Sequence, residues 1–358
     1  MIDSMVLERL RGIGLTPAAV QQALRHFSPD GTLMRVVEVQ REGLQLHDGS
    51  GERAARLLPA ARADLAAQGD ALAVGDWVWA QRNALAEWWV HLRVPPLNQL
   101  ARRLHDGRDK VTRVVIVSNV DTALLVMGLD HDFSLRRLER FVALVQMAGV
   151  LPVVVLSKAD LCADPGSRVA QVQELLPAGA AVVAVNTLDG ATRQLLAPWL
   201  YGGQTLALLG SSGTGKSSLT NTLTGAAVAL VGANRSDDSR GRHTTTARTL
   251  HATPEGACII DTPGLRTLRL DAEASEMAAA FADIEELSTR CRFRDCRHEA
   301  EPGCAVRGTV GAQRLSNFHK LLREVRRDTL TALERKAQVQ QWKARGRNAR
   351  LRTEAKRG

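Results

Sequence analysis

A chain of 358 residues is long enough for two or three domains, because single domains commonly take about 100–200 residues. Apolar residues make up 45% and charged residues 24%, a balance typical of globular proteins that argues against wholesale disorder. The longest uncharged stretches are broken by proline and glycine, and acidic residues interrupt the first segment, so we predict no membrane span and no signal peptide and expect a cytoplasmic protein.

Positive charge is concentrated in the last part of the chain. Residues 314–358 hold 14 Lys and Arg against 4 Asp and Glu, whereas the whole chain carries a net charge of only +9. A basic segment of this kind suits contact with the phosphate backbone of RNA, although a solvated helix has the same composition. We therefore assign 336–358 as a basic tail and keep both interpretations open.

Residues 1–34 predict a short helical arm. Their apolar residues recur at helical spacing. Thr16 and Pro17 match the cap and the first position of a helix, so we predict that a helix begins there.

Residues 35–105 change to short β-like runs between turn residues, as at 77–79 and 88–92. This pattern predicts a small barrel of the OB type, a fold that commonly presents a face to nucleic acid. On that face Trp88 or Trp89 is a candidate to stack on a base. The alternative is that each of these tryptophans simply fills the barrel core.

Residues 106–270 alternate between apolar strands and helices. Strands such as 153–156 and 205–209 are continuously apolar, which is typical of a parallel sheet buried on both faces. A strand at 114–117 opens the domain, and a helix is predicted over 135–146. The pattern predicts a doubly wound α/β fold, in which ligands bind at the carboxyl ends of the strands.

A glycine-rich loop follows the strand 205–209 and precedes a predicted helix. In that context glycines let the backbone wrap around nucleotide phosphates, while the helix N-terminus adds positive potential. Lys216 is expected to reach the β- and γ-phosphates, and Ser217 to bind Mg²⁺. The candidate phosphate-binding residues are Gly210, Ser211, Ser212, Gly213, Thr214, Gly215, Lys216, Ser217 and Ser218.

Two later segments are expected to complete the phosphate and magnesium site. Asp261 follows the strand 257–260, where its carboxylate is expected to hold Mg²⁺ through water, and Gly264 is expected to offer its N–H to the γ-phosphate. The polar segment 241–246 lies between the phosphate loop and Asp261, as a switch with a magnesium-binding threonine would. We choose Thr245 for that role and leave its two neighbouring threonines as alternatives.

The residue that orients the hydrolytic water is a separate question. Leu265 stands where a Ras-type enzyme has its water-orienting glutamine, and an apolar side chain cannot polarise water. His243 is the nearest candidate, so we assign it together with Thr245 to catalysis; alternatively, His243 is structural or contacts a partner. We expect slow turnover that rises when a partner orders the switch.

The base-reading candidate is the segment 157–160, which follows an apolar strand. Asp160 is expected to accept hydrogen bonds from N1 and N2 of guanine, a donor pair that adenine lacks, and Lys158 to lie across the base face. Ser157 stands where Asn or Thr is usual. Asn186 and Thr187 stand where a Ser-Ala pair normally meets the guanine O6.

The order of these motifs indicates a circular permutation. In an ordinary GTPase the base reader comes last, whereas here residues 157–160 precede both the phosphate loop and Asp261. The chain therefore has the motifs of a GTPase domain that was cut and rejoined.

Residues 271–335 form a cysteine-bearing module with a long polar helix from about Gln313. Three thiols and one imidazole lie close together in its sequence, which is a ligand set that tetrahedral Zn²⁺ takes. All four positions are protein groups, so a structural zinc site is favoured over a catalytic one. The ligands are Cys291, Cys296, His298 and Cys304.

With these motifs the chain resembles the RsgA family, also called YjeQ or EngC, of circularly permuted GTPases. The resemblance covers about 35–318 and rests on the phosphate loop, 241–246, 261–264, Asn-Val-Asp at 119–121 and the cysteine–histidine cluster. It implies an OB-type barrel, a permuted P-loop GTPase domain and a C-terminal zinc-binding helical domain. It also implies GTP hydrolysis to GDP in late maturation of the 30S ribosomal subunit, stimulated by that particle, with Mg²⁺, one structural Zn²⁺ and contacts to 16S rRNA. We expect a monomer.

Two alternatives remain at this point. One is a nucleotide-gated RNA-binding assembly factor in which GTP binding, not hydrolysis, does the work. The other is a P-loop ATPase, which requires that Asp160 does not read guanine.

Overall fold

The computed structural model describes residues 3–40, 43–105, 111–176, 180–229, 248–262 and 281–329. These residues belong to two compact units. The first consists of Met1–Arg102 and Arg113–Asp271, and the second of Arg103–Thr112 and Ala272–Gly358. The finer domain boundaries expected from the sequence stay predictions. In the described part of the chain, every helix is too short or too polar to cross a membrane.

The N-terminal arm is helical, as predicted. Helix α1 spans Ser4–Arg11 and helix α2 spans Pro17–Arg25. The Thr16 side chain accepts a hydrogen bond from the Ala19 amide at 3.2 Å, so Thr16 caps the helix that Pro17 begins.

Five strands close a barrel after the arm. They are β1 Thr32–Val39, β2 Leu44–His47, β3 Glu52–Leu57, β4 Trp77–Arg82 and β5 Trp88–Arg93, with helix α3 Pro59–Ala67 after β3. Neighbours around the barrel follow the order β1-β2-β3-β5-β4, and β4 pairs back onto β1. The predicted OB-type barrel is therefore confirmed.

The four tryptophans of the barrel strands fall into two classes. Trp77 and Trp79 are almost fully buried, at 1% and 2% exposure, so they fill the barrel interior. Trp88 and Trp89 are only half-buried on β5. Of the two base-stacking candidates, Trp88 packs against the barrel core, so the core-filling alternative applies to it in part, and both candidates keep accessible surface.

The strand expected at 114–117 does not join the parallel sheet. Strand β6 spans Gln99–His105 and β7 spans Val111–Ser118, and the two form a separate two-stranded sheet. An apolar run fits a ribbon packed on a larger body as well as it fits a central strand, which is why the sequence pattern could not separate the two.

A doubly wound sheet forms the rest of the first unit. Its strands are β8 Thr122–Gly128, β9 Leu151–Ser157, β10 Ala181–Ala184, β11 Thr205–Leu209, β12 Thr249–Ala252 and β13 Cys258–Asp261. Their order is β10-β9-β8-β11-β13-β12, and only β12 runs antiparallel to its neighbour in this group. The connecting helices are α4 Leu135–Met147, α5 Pro165–Leu175, α6 Ala191–Leu196 and α7 Lys216–Thr224.

A buried arginine joins the arm, the barrel and the sheet. Arg35 on β1 is 0% exposed, and its guanidinium donates to the carbonyls of Ile13, Gly75 and Asn119. It also lies over the ring of Trp77, 5.1 Å from the ring centroid. Burial lowers the pKa of Arg35, yet a guanidinium keeps its charge in proteins, so these carbonyls solvate a buried cation.

The second unit contains three helices in its described C-terminal part, residues 281–329. Helix α8 spans Ala282–Ser288, α9 spans Ala305–Thr309 and α10 spans Ala312–Thr329, so the predicted long helix begins one residue before Gln313. Phe281 and Phe318 meet edge to face with ring centroids 5.3 Å apart. This aromatic contact packs the start of α8 against α10.

Candidate nucleotide site and metal centre

The candidate site lies at the edge of the sheet where the parallel strands end. Leu209 of β11 is paired with Leu125 of β8, and the neighbouring Leu208 is paired with Asp261 of β13. On the other side of β8, Gly128 is paired with Ser157. The register therefore brings the phosphate loop, Asp261 and the base-reading segment to one edge, although they are widely separated in sequence.

The phosphate loop has a backbone that only glycine adopts comfortably. Gly210 has φ +153°, and a Cβ there would lie 2.2 Å from the carbonyl oxygen of Val126. Gly215 has φ +89° and stands directly before α7. The loop thus has the strand–loop–helix arrangement in which backbone N–H groups and a helix N-terminus bind anions.

Lys216 is held at the base of this loop. Its Nζ donates to the carbonyl oxygens of Gly210 at 2.9 Å and Ser211 at 2.5 Å, and the residue is buried. Burial lowers the pKa of Lys216, while the nearby carboxylates of Asp261 and Asp132 act in the opposite direction. The ammonium group is therefore positioned beside the loop and next to carboxylates.

Asp261 ends β13 beside this lysine. Burial raises the pKa of its carboxyl group, and the positive charges of Lys216 and His251 oppose that rise. Its Oδ1 is buried and has no hydrogen-bond partner among the described residues. The next hydroxyl, on Thr262, donates to the carbonyl of Leu208 and fixes the strand end. A buried carboxylate oxygen of this kind fits a hydrated divalent cation.

The base-reading segment is tied to the phosphate loop. The Ser157 hydroxyl donates to the carbonyl of Thr214 at 2.6 Å, and Ser157 is fully buried. Lys158 takes a left-handed backbone with φ +59°, and Asp160 follows, exposed, in a 3₁₀ turn over Ala159–Leu161. The short serine thus connects the two motifs, and the acidic side chain stays free to meet a ligand.

The segment expected near the guanine O6 lies next to the phosphate loop. The Thr222 hydroxyl of α7 donates to the Thr187 carbonyl at 2.6 Å. A Cβ on Gly215 would lie 3.1 Å from the Thr187 hydroxyl oxygen. Asn186 turns the chain here, since its side chain accepts the Leu188 amide at 3.0 Å.

Several predicted site residues lie outside the described part of the chain. These are Gly264, Leu265 and the whole segment 241–246, including His243 and Thr245. Their assigned roles stay predictions.

Two acidic residues that follow β8, Asp130 and Asp132, also lie at the site and were not among the residues predicted from the sequence. Asp130 accepts a hydrogen bond from Lys158 Nζ at 2.6 Å, and Asp132 is an electrostatic neighbour of Lys216. Their position just after an apolar strand is the signal that was available, because strand ends of a parallel sheet line its ligand site. His251 of β12, an electrostatic neighbour of Asp261, was missed as well.

The four predicted zinc ligands converge in the second unit. The ligand atoms of Cys291, Cys296, His298 and Cys304 all lie within 4.8 Å of one another. His298 Nδ1 lies 3.7 Å from the Cys291 sulfur and 3.4 Å from the Cys304 sulfur. Tetrahedral zinc with bonds of about 2.0–2.3 Å separates such atoms by about 3.5–3.8 Å. The donor set and its spacing therefore fit a tetrahedral metal ion.

The sequence comparisons point to a single family. A model described as RsgA GTPase matches residues 96–271. The small ribosomal subunit biogenesis GTPase RsgA of Xylella fastidiosa (strain 9a5c) is 49% identical over 257 residues, which is 70% of this chain and 73% of that protein. The small ribosomal subunit biogenesis GTPase RsgA 2 of Vibrio vulnificus (strain CMCP6) is 40% identical over 338 residues, or 93% of this chain and 92% of that protein.

Two solved structures share the fold. YjeQ from Thermotoga maritima matches with a TM-score of 0.60 at 23% identity, covering 82% of this chain and 98% of that one. YloQ, described as a circularly permuted GTPase, matches with a TM-score of 0.57 at 23% identity, covering 85% and 98%. The permuted GTPase fold expected from the motif order is therefore confirmed.

Replacing Gly210 with alanine tests the geometry of the phosphate loop. We expect Gly210→Ala to lower the free energy of unfolding by about 1–3 kcal/mol and to weaken nucleotide binding, because the new methyl meets the Val126 carbonyl. Urea unfolding and a fluorescent-nucleotide titration measure the two effects. Gly190→Ala is the matched control, since Gly190 has φ −59° and open space around its Cβ position. Equal behaviour of the two variants would contradict the account of the loop.

Proposed function

The chain belongs to the RsgA family of GTP hydrolases, and we propose that it hydrolyses GTP to GDP and phosphate during late maturation of the 30S ribosomal subunit. In this proposal it works as a cytoplasmic monomer, binds 16S rRNA, and turns over faster on the small subunit than alone. The names of its relatives support a role in biogenesis of the small subunit.

The observation that carries the proposal is the convergence of three separated motifs at one sheet edge. The Ser157 hydroxyl binds the Thr214 carbonyl, and Lys216 and Asp261 are electrostatic neighbours. Phosphate, metal and base can therefore be bound together, as hydrolysis of a guanine nucleotide requires.

The phosphates and the metal are assigned to the loop and to β13. We assign Lys216 to the β- and γ-phosphates, Ser217 and Thr245 to direct Mg²⁺ binding, and Asp261 to Mg²⁺ through water, with Gly264 as a γ-phosphate contact. Bound Mg²⁺ supplies neutralisation of the charge that develops on the phosphate oxygens. The buried Asp261 Oδ1, which has no hydrogen-bond partner in the part of the chain that the structure describes, favours this assignment.

The guanine base is assigned to residues 157–160. Asp160 is exposed at the tip of its turn, where it would accept from N1 and N2, while Lys158 would lie across the base. Ser157 would not contact the base but would hold the base-reading segment against the phosphate loop, through its hydrogen bond to the Thr214 carbonyl. This arrangement favours GTP over ATP.

We assign His243 to orient the hydrolytic water. Leu265 offers no polar atom for this task, so the slow step would depend on how the segment 241–246 is ordered. Binding to the 30S particle would supply that order, which gives stimulation its physical reason.

A surface of the barrel is suited to RNA. Trp89 lines two surface cavities of about 480 and 390 Å³, and Arg56 lies over its ring at 5.8 Å. The first cavity also contains Arg62, and the second contains Arg82 and His91. An accessible aromatic ring surrounded by cations is the usual device for stacking an unpaired base beside a phosphate backbone. The basic residues of 336–358 would add phosphate contacts that carry no sequence information.

We assign one structural Zn²⁺ to the cluster in the second unit. Burial and the neighbouring His319 lower the pKa of His298, and a lower pKa favours the neutral imidazole that a metal ligand must be. The ion would fix the loop between α8 and α9, where four protein ligands leave no open position.

Turnover with and without ribosomal particles tests the proposed function. We expect purified 30S subunits to raise GTP hydrolysis at least about tenfold and 50S subunits to leave it unchanged. Lys216→Ala should reduce stimulated turnover by about a hundredfold or more, since it removes a cation that stabilises phosphate charge. Failure of 30S to stimulate the wild-type protein would overturn the proposal.

An assay of 30S assembly, run alongside GTP binding and turnover, separates hydrolysis from binding alone. If His243→Ala still binds GTP and still supports assembly of 30S particles without turnover, the binding-only alternative is correct. If assembly is lost with both Lys216→Ala and His243→Ala, hydrolysis is required.

Zinc content tests the metal centre. We expect about one zinc per wild-type chain and less than about one tenth in Cys296→Ser, with a lower melting temperature, because binding energy at a structural site is folding energy. Elemental mass spectrometry and thermal unfolding give the two readouts. Cys162→Ser, outside the cluster, should keep its zinc. A zinc-free wild-type chain isolated without chelator would count against the site.

Trp89 tests the RNA surface. We expect Trp89→Ala to weaken binding of single-stranded 16S rRNA fragments by about 5- to 100-fold, whereas Trp89→Phe should retain most of the affinity, because stacking requires a ring. The slope of affinity against salt should stay unchanged, since no phosphate contact is lost. Wild-type affinity in Trp89→Ala would exclude this surface.

A further inference from the structure

An ion pair links the loop after β8 to the base-reading segment. Lys158 Nζ lies 2.6 Å from Asp130 Oδ2, and the two side chains are only 28% and 21% exposed. A charge-assisted hydrogen bond of this length is stronger than one between neutral groups. The pair therefore constrains the far end of a side chain that would otherwise have four flexible torsions.

Both partners of the pair are held by their own segments. Asp130 Oδ1 accepts a hydrogen bond from the Asp132 amide at 3.0 Å. The same oxygen packs closely over Gly128, since a Cβ built on that glycine would lie only 2.6 Å from it. On the other side, the left-handed backbone of Lys158 sets the direction of its stem. The geometry is thus fixed at each end before any ligand binds.

The charge on Asp130 is maintained at neutral pH. Partial burial acts to raise the pKa of this carboxyl group, but the hydrogen bond and positive charge of Lys158, with the Asp132 amide, lower it overall. The carboxylate is therefore ionised at neutral pH.

We propose that Asp130 is a positioning residue for nucleotide binding, which holds the stem of Lys158 extended across the face of the guanine base. The inference rests on the proposed function, because it requires that Lys158 covers the base. Ordering a free lysine side chain costs conformational entropy, and a stem already fixed by Asp130 avoids most of that cost on binding. Asp130 acts on the base face, whereas Asp160 reads the base edge.

This division of labour gives a distinguishing measurement. Inosine diphosphate presents the same face as GDP but lacks the N2 amino group that Asp160 would bind. Asp130→Asn should therefore weaken GDP and inosine diphosphate equally, by about 3- to 10-fold, and leave their ratio unchanged. Asp160→Asn should instead change the ratio.

A double-mutant cycle tests whether Asp130 acts through Lys158. We expect Lys158→Met to weaken GDP binding and to abolish any further effect of Asp130→Asn, and Asp130→Glu to restore part of the affinity. Dissociation constants are measured by titration with fluorescent GDP in the presence of Mg²⁺, on the full chain. Additive losses in the double variant, or wild-type affinity in Asp130→Asn, would overturn the inference.

A matched control is available at the other end of the sheet. Glu255, in the turn before β13, pairs with Arg193 at 2.5 Å with 34% and 30% exposure. Glu255→Gln removes the same charge from a similarly exposed pair and should leave GDP affinity unchanged.

If Asp130→Asn does not fold, Asp130→Glu replaces it in the double-mutant cycle. The proposal is contradicted if Asp130→Glu weakens GDP binding by the same factor in the Lys158→Met background as in the wild-type background. A wild-type chain that binds no guanine nucleotide would defeat the proposed function instead.

Discussion

The position of β11 between β8 and β13 is the constraint on which the site depends. Each of these strands is followed by residues that we assign to nucleotide binding or that contact such residues, and parallel pairing makes all of the strands end at the same edge. The order of the strands along the chain does not affect this arrangement, because the positions of the strand ends depend only on which strands are neighbours in the sheet. A permuted sequence can therefore build the same pocket as an ordinary one.

The edge strand β12 pairs the α/β sheet with the barrel. Strand β12, which follows the segment 241–246 along the chain, pairs with β13 on one side and with barrel strand β1 on the other, through Thr249 and Glu38. The same short strand thus touches the neighbour that carries Asp261 and the body that carries the tryptophan surface. Backbone hydrogen bonds therefore join the α/β sheet to the barrel.

Local patterns were sufficient to predict most of the elements. The helix expected over 135–146 is α4, the strand at 205–209 is β11 as predicted, and the apolar strands did form a parallel sheet. These elements are encoded by periodicity and by caps that lie within a few residues. The strand at 114–117 was predicted in the wrong sheet, because an apolar run does not determine which strand it pairs with.

Contacts between distant residues could not be predicted in this way. The sequence suggested a short Ser157 in place of a longer side chain, but not that its hydroxyl would meet Thr214, which is 57 residues away. Asp130 was missed for the same reason, since its partner Lys158 lies across the sheet edge. Both contacts follow from strand register, which depends on the packing of the whole sheet rather than on any local segment.

Arg35 illustrates how the same logic applies away from the site. Three carbonyls from the arm, from the barrel and from the start of the 119–121 motif converge on one buried guanidinium. Asp121 of that motif in turn accepts the Thr205 amide at 2.8 Å, which ties the start of β8 to the start of β11. A buried cation is costly unless every donor is satisfied, so the three segments must keep their relative positions for Arg35 to remain where it is. The Asn-Val-Asp motif therefore acts at the end of the sheet opposite the nucleotide site, where it fixes the barrel and the two central strands in one register.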